Sequence, residues 1–408
     1  MLDKQTAYKR NIAKQLYFHG ELSCAELSEL TQKSLPLTTR VLNLMIESGD
    51  VMETGYANST GGRRPLMYSL RSDLMYVVSV AMDQLVTRIA ILDMNNNYVV
   101  AVQKKELNLI NNPNAVTQLA NIIQEYIESS GIPRSTIAGI GIGMPGFVDV
   151  TKGINHSFLS VDKGSSIIRI IEQVVKIPVL IDNDSSLIAL AELKFGAAKA
   201  RQNVMVINVG WGVGLGMILK GELFRGNNGF AGEFSHMPLF KNNKLCSCGK
   251  TGCLETETSL VVLAEKAIAG LKNGKLSVLK NLSLNDIEAA SQAIMEAGLH
   301  GDKFAVDIIT ETGYNIGLGV GILIHLLNPE LIVLSGRGSI AGKLWLTPIQ
   351  QAINEHCIPK LAQDTAIAVS TLGYQAELIG AAALVMEHYD VLAVKTRNYA
   401  KAEMKVVQ

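Results

Sequence analysis

The stretch YVVSVAMDQLVTRIAILDMNNNYVVAVQKKEL, residues 76–107, decides the architecture. It is rich in β-branched residues and broken by the polar turn at Met94–Asn97, so it reads as three strands in a meander. An amphipathic helix follows at 115–129. A buried strand at 136–146 runs into a glycine loop, then come a helix at 167–177, a strand at 178–184 and a helix at 185–198. This order differs from plain βαβ alternation. It restarts at NVMVINVGWGVGLGMILKGEL, residues 203–223, and continues through long helices at 260–272 and 304–327, a strand at 330–336 and a late helix at 377–389. Two related α/β lobes would place a cleft between them.

Ahead of the lobes lies a small head. YKRNIAKQLYFHG (8–20) puts Ile12, Ala13, Leu16 and Tyr17 at helical spacing and stops at a glycine. Ser23 with Glu26 forms a capping box opening a second helix, whose apolar side is Ala25, Leu27 and Leu30. A third helix opens at Ser34, carries Pro36 in its first turn, buries Val41, Leu44 and Met45, and ends at Gly49. Two short alternating runs then flank the polar loop GYANSTGGRR (55–64). Three helices and a hairpin are the layout of a winged helix-turn-helix, with the third helix as the reader of a DNA major groove. Ser34, Leu35, Thr39 and Arg40 are its outward candidates. Arg63 and Arg64, set on flexible glycines, suit insertion into a narrow minor groove. The competing reading is a packing module with a charged loop.

Bulk charge names no partner, because the 408 residues carry 37 basic and 37 acidic side chains. No apolar run reaches membrane-spanning length, so no membrane insertion is expected. The start, MLDKQTAYKRNIAKQL, lacks an apolar core with a cleavage site, which points to a reducing cytoplasm. Clustered cysteines there read as metal ligands rather than disulfides. Of the five cysteines, three fall in HMPLFKNNKLCSCGKTGCLE (236–255). His236, Cys246, Cys248 and Cys253 supply one imidazole and three thiolates, the complete set of a structural Zn2+ site with no open position for catalysis. Metal there would fix the loop and, with it, Glu233 and Glu255, whose carboxylates suit vicinal sugar hydroxyls. Asn183 and Asp184 add polar groups at a strand end, where α/β sheets bind ligands, although alone they would read as a helix cap. Gly141-Ile-Gly143-Met-Pro-Gly146 matches a dinucleotide fingerprint, but no helical period follows it. These glycines instead let backbone approach a ligand closely.

GMPG (143–146), IDNDSS (181–186), GEFSH (232–236) and CSCGKTGCLE (246–255), with STGGRRP (59–65), together resemble the ROK family of repressors and sugar kinases. The resemblance covers essentially the whole chain, and the STGGRRP match is typical of the family's transcriptional regulators. It implies an actin-like, ribonuclease H-like, two-lobed sugar-kinase body behind an N-terminal winged helix. It implies sugar contacts from Gly146, Asn183, Asp184, Glu233, His236 and Glu255, with His236 also on the zinc. The division expected is a head at 1–72, a first lobe at 73–185 completed by about 376–396, a second lobe at 186–375 and a tail at 397–408.

Family kinases open the body with Asp-x-Gly-Gly-Thr, whereas this chain has Ala81-Met82-Asp83-Gln84-Leu85. The acid that helps hold magnesium and both glycines are gone, and a carboxylate sits where phosphates should approach. The second phosphate turn, usually Gly-Thr-Gly, reads Gly210-Trp211-Gly212. The expectation is therefore a non-enzymatic, sugar-responsive regulator, most plainly a repressor of carbohydrate-utilisation genes. Its partners would be a double-stranded operator and a small sugar or sugar phosphate, and it would act as a homodimer or homotetramer. The alternatives are an ATP-dependent sugar kinase and a regulator controlled by a transport protein.

Overall fold

The computed structural model describes residues 4–58, 64–162, 164–390 and Leu392. The chain separates into two compact units, one running to Asp184 and resuming at Ala381, the other spanning Ser185–Gly380. At the front of the first unit stand α1 (Lys4–His19), β1 (Leu22–Ser23), α2 (Cys24–Leu30), α3 (Leu35–Glu47), β2 (Val51–Tyr56) and β3 (Leu66–Leu70). The strands pair in the order β1-β3-β2. Ser23 and Glu26 close a reciprocal box, with Ser23 N donating to Glu26 Oε2 at 2.7 Å and Glu26 N to Ser23 Oγ at 3.3 Å. That satisfies two backbone donors that helix geometry leaves orphaned.

The core of this head differs from the sequence pattern in two places. In α2 only Leu27 is buried, while Leu30 is 42% exposed. In α3 the buried set is Thr38, Val41, Leu42 and Met45, with Leu44 half-buried. The reason is a polar tie. Tyr8 Oη lies 3.0 Å from Thr31 Oγ1 and 2.6 Å from Thr38 Oγ1, which fixes the rotation of α3 against α1. Period alone cannot choose between adjacent leucines; the tie does.

Behind the head, the first unit continues through β4 (Tyr76–Met82), β5 (Val86–Leu92), β6 (Gln103–Glu106), α4 (Ala115–Ser130), β7 (Ile137–Met144), β8 (Val148–Asp149), β9 (Ile154–Asn155), α5 (Ile167–Val175) and β10 (Val179–Asn183). The sheet order is β10-β7-β4-β5-β6. β4, β5 and β6 pair antiparallel, while β7 and β10 are parallel additions. β4, β5 and β7 are buried almost end to end, as strands covered on both faces must be. α4 and α5 bury Leu119, Ile123, Ile127, Ile167 and Ile171 in the same cluster as these strands. Past Gly146 the chain forms the small β8–β9 hairpin rather than a helix, so the glycine run is no dinucleotide fingerprint.

The second unit holds α6 (Asp184–Phe195) from its second residue onward, then β11 (Val204–Val209), β12 (Val213–Leu219), β13 (Glu222–Leu223), α7 (Glu255–Thr258), α8 (Leu260–Lys272), α9 (Ile287–Leu299), α10 (Lys303–Leu327), β14 (Leu331–Ser335), α11 (Leu346–His356), α12 (Pro359–Ala362) and β15 (Ala366–Val369). Its sheet order is β13-β12-β11-β14-β15. An antiparallel meander again carries two parallel strands on its first member, so the two sheets share one topology. The core gathers around Trp345, which is fully buried and donates Nε1–H to the Gly338 carbonyl at 2.7 Å.

The chain re-enters the first unit within α13 (Ala376–Glu387). Two glycines of β7 admit this helix. A Cβ on Gly141 would lie 2.1 Å from the Ala381 carbonyl oxygen, and one on Gly139 would lie 3.1 Å from Val385. The far end of α13 holds the head. Lys14 Nζ donates to the Glu387 carbonyl at 2.7 Å and Arg10 Nη1 to the Asp390 carbonyl, just past the helix, at 3.4 Å; the turn after β5 adds a third tie, Tyr17 Oη donating to Asn96 Oδ1 at 2.5 Å. Cations at a helix C-terminus also meet its negative pole. Gly141→Ala should therefore cost roughly 1–3 kcal/mol through overpacking. A fall in the thermal midpoint of the full chain checks this, and an unchanged midpoint would contradict it.

Candidate functional site

In the first unit, three sequence-predicted residues stand at the carboxyl ends of parallel strands. β10 ends at Asn183 and α6 starts at Asp184, so the Asp184 carboxylate sits where a helix N-terminus favours negative charge. Asn183 Nδ2 donates to the Gly146 carbonyl at 3.1 Å. Gly146 has φ +83°, and a Cβ there would lie 2.5 Å from Ser157. Asn155 fixes the same loop, donating to the Pro145 carbonyl at 2.9 Å while its Oδ1 accepts from the Ser157 and Phe158 N–H groups, each at 2.9 Å. Gly146 and Asn183 are thus brought together, on backbone that only glycine tolerates.

In the second unit, the four expected metal ligands converge. The Nδ1 or Nε2 of His236 and the Sγ atoms of Cys246, Cys248 and Cys253 lie within 4.8 Å of one another. Cys248 Sγ to Cys253 Sγ is 3.6 Å, and Cys246 Sγ to His236 Nδ1 is 3.4 Å. Tetrahedral thiolates at Zn–S bonds of about 2.3 Å sit about 3.8 Å apart, so the spacing fits such an ion. Gly249 (φ +81°) and Gly252 (φ +75°) turn the chain, and a Cβ at Gly252 would collide with the Phe240 carbonyl at 1.9 Å. Cys246 and Cys253 are buried, and Cys248 is exposed.

The cluster holds the two carboxylates named from the sequence. His236 turns Nδ1 to Cys246 and Nε2 to Glu233 Oε2, 3.6 Å away. Glu255 opens α7, with Oε1 3.9 Å from Cys246 Sγ and Oε2 accepting from the Val213 N–H at 3.2 Å. Burial raises the Glu233 carboxyl above its ordinary range, with His236 opposing and Glu255 adding to the rise. Burial, with Cys248 and Cys246 alongside, pushes the Cys253 thiol up to about 12. Cys248 moves the other way. Burial acts against its thiolate, but the Lys250 backbone N–H and the adjoining thiols outweigh that. A divalent cation held by the three sulfurs would bind them as thiolates and displace their protons.

The segment Ala81–Leu85 closes on itself. Ala81 and Met82 finish β4, and Asp83 Oδ1 accepts from the Leu85 and Val86 N–H groups at 2.8 and 2.7 Å. Those backbone donors, which a phosphate loop would offer to a ligand, serve the turn instead.

On the head, Leu35, Thr39 and Arg40 are exposed on one face of α3, and Ser34, its N-cap, is exposed just ahead of it. Asn43 and Glu47 extend that face and were missed, although their spacing from Thr39 gives them away. Arg64 is exposed, and Arg63 lies outside the described residues. Arg337 was missed as well. Its guanidinium carbon is 4.5 Å from the Trp211 ring centroid and 4.0 Å from that of Tyr374, with Nη1 3.1 Å from Glu288 Oε1. Gly336 and Gly338 flank it after a strand, which signals a strand-end loop but not its distant partners.

The ROK family model matches residues 79–388. The chain belongs to the ROK family. It is 28% identical to the xylose repressor of Caldicellulosiruptor bescii over 387 residues, covering 92% of this chain and 94% of the repressor. It is 32% identical to the glucokinase of Halalkalibacterium halodurans over 280 residues, 66% of this chain and 83% of the kinase. A crystal structure of a ROK family transcriptional regulator, a homologue of the E. coli MLC protein, matches with a TM-score of 0.76 at 24% identity, over 96% of this chain and 99% of that one. The fold is therefore the α/β sugar-kinase-like ROK fold. Among the described residues no helix is long and apolar enough to cross a membrane.

Proposed function

We propose that this protein is a sugar-responsive transcriptional repressor whose head is a winged helix-turn-helix. The observation that carries this reading is coverage. The similarity to a named repressor spans 92% of the chain, whereas the glucokinase similarity spans 66%. The closed Asp83 turn supports the same conclusion against a kinase, because its backbone donors are already used. Asp184 then serves as a sugar ligand.

In this reading α3 enters the major groove through Ser34, Leu35, Thr39 and Arg40, and Arg63 and Arg64 reach the minor groove. Zn2+ is held by His236, Cys246, Cys248 and Cys253, a filled set whose role is to position Glu233 and Glu255. Gly146, Asn183, Asp184, Glu233, His236 and Glu255 bind the sugar. Its class is a xylose- or glucose-like monosaccharide, an N-acetylated hexosamine or a phosphorylated form. The protein works in the cytoplasm as a homodimer or homotetramer, since operator half-sites need two heads at fixed spacing. Sugar binding shifts that spacing and weakens the complex.

The test is fluorescence anisotropy with the promoter fragment upstream of the protein's own gene, repeated across sugars and sugar phosphates, with and without ATP and magnesium. Binding that one sugar reverses, with no ATP effect, is expected. Phosphorylated sugar appearing in the same tubes would favour the kinase. Binding indifferent to every sugar would favour control by a transport protein.

A further inference from the structure

Leu35, Thr39, Asn43 and Glu47 follow one another along α3 at i, i+4 spacing, and all four are exposed. With Pro36, Arg40 and Leu44 they line one shallow groove. The chemistry along this ridge is uneven. Asn43 and Glu47 are polar, whereas the first turn, the part of a recognition helix that meets base edges, is apolar. Leu35 is 50% exposed, and Pro36 beside it is exposed too. Thr39 adds to this character. Its hydroxyl donates to the Leu35 carbonyl at 2.9 Å and lies 3.3 Å from Cys24 Sγ, which leaves its methyl as the group it can offer a ligand. Lys33 and Arg40, both exposed, place positive charge about this end of the helix, as a phosphate wall requires.

Resting on the repressor reading, we infer that Leu35 and Thr39 select thymine in the operator half-site by enclosing its 5-methyl group. In the major groove that methyl is the apolar group a base pair displays, whereas guanine, adenine and the cytosine amino group show donors and acceptors. Packing the methyl against leucine removes apolar surface from water. A polar base edge in the same place would lose water and gain no partner, because the leucine has no polar atom and the threonine hydroxyl is already engaged. The apolar end of α3 thus acts twice, by attraction to thymine and by exclusion of the other bases. Selection by donor and acceptor pattern is left to Arg40, Asn43 and Glu47, farther along the helix.

The test uses the full-length protein and the promoter fragment upstream of its own gene, made once with thymine and once with uracil, which pairs alike but lacks the methyl. Wild type should bind the thymine fragment about fourfold tighter or more, the worth of one buried methyl. Leu35→Ala should bind both fragments alike, at about the wild type's affinity for the uracil fragment. Thr39→Ser keeps the hydroxyl and loses the methyl, and its preference should fall between the two. Both positions are exposed, so thermal melts should match wild type. Equal wild-type affinity for the two fragments would overturn the inference and leave the repressor reading standing. So would a Leu35→Ala protein that keeps the full thymine preference. Failure to bind either fragment would overturn the repressor reading and the inference with it.

Discussion

Removing the metal is expected to abolish the sugar response while leaving operator binding intact. The segment from Glu233 to Glu255 is anchored in the core at its ends by Phe234 and Leu254, but between them it holds almost no regular secondary structure. Its strand-like contacts are the single bridges Pro238–Cys253 and Leu245–Thr251, and Leu245 is 74% exposed. Structural zinc sites in small peptides bind with roughly 10–16 kcal/mol at neutral pH, and that energy is folding energy for the loop. Without it Glu233 and Glu255 lose their placement, and the hydrogen bond from Val213 to Glu255 goes with them. Cys253→Ser is the sharpest variant, because Cys253 is fully buried and a serine hydroxyl is a poor zinc ligand. Bound zinc should fall from about one per chain to near none, amide exchange should rise across the segment, and the sugar-dependent thermal shift should vanish. Cys357→Ala, outside the cluster, is the control and should keep all three properties. Because the thiols release protons on binding, metal affinity should also drop as pH falls. Full sugar-dependent release from the operator by metal-free protein would refute the coupling.

The success of the sequence in locating that cluster, and its silence elsewhere, have one physical explanation. The ligands, the glycines between them and the flanking carboxylates are close in sequence, so spacing alone implies geometry. The same holds for the Ser23–Glu26 box and for the repeated meander, whose strands follow one another. Signals weaken where contacts are long-range or patterns degenerate. Leu42 and Leu44 both satisfy a helical period, and only the Tyr8–Thr38 tie decides between them. β15 is four residues long and only half-buried, which leaves no alternation to read. Trp211, Arg337 and Tyr374 are far apart in the sequence, and no local motif pairs them. The grip of Lys14 on the end of α13 joins residues at opposite ends of the chain, and it too has no local signature.

The paired substitution of Arg63 and Arg64 by alanine should weaken operator binding at least tenfold and flatten its salt dependence. Each lysine or arginine that neutralises a phosphate contributes a slope of about −0.9 in log affinity against log salt. Losing the two cations, which in the minor groove neutralise the phosphates lining it, should therefore lower the slope by about 2, on cognate and random DNA alike. Arg40→Ala makes a contrasting case. Arg40 is exposed on the outward face of α3 beside Thr39, and the proposed docking of α3 in the major groove would set it against base edges. Loss of a bidentate base contact costs about 1–3 kcal/mol on the cognate operator and little on random sequence, so discrimination falls instead of the slope. Anisotropy titrations at several salt concentrations on both DNAs separate the two outcomes. The physical distinction is that the loop cation attracts a charged backbone common to all DNA, whereas the helix arginine matches a donor–acceptor pattern that only some base pairs present. If the double variant keeps both affinity and slope, the hairpin loop does not touch DNA, and recognition rests on α3 alone.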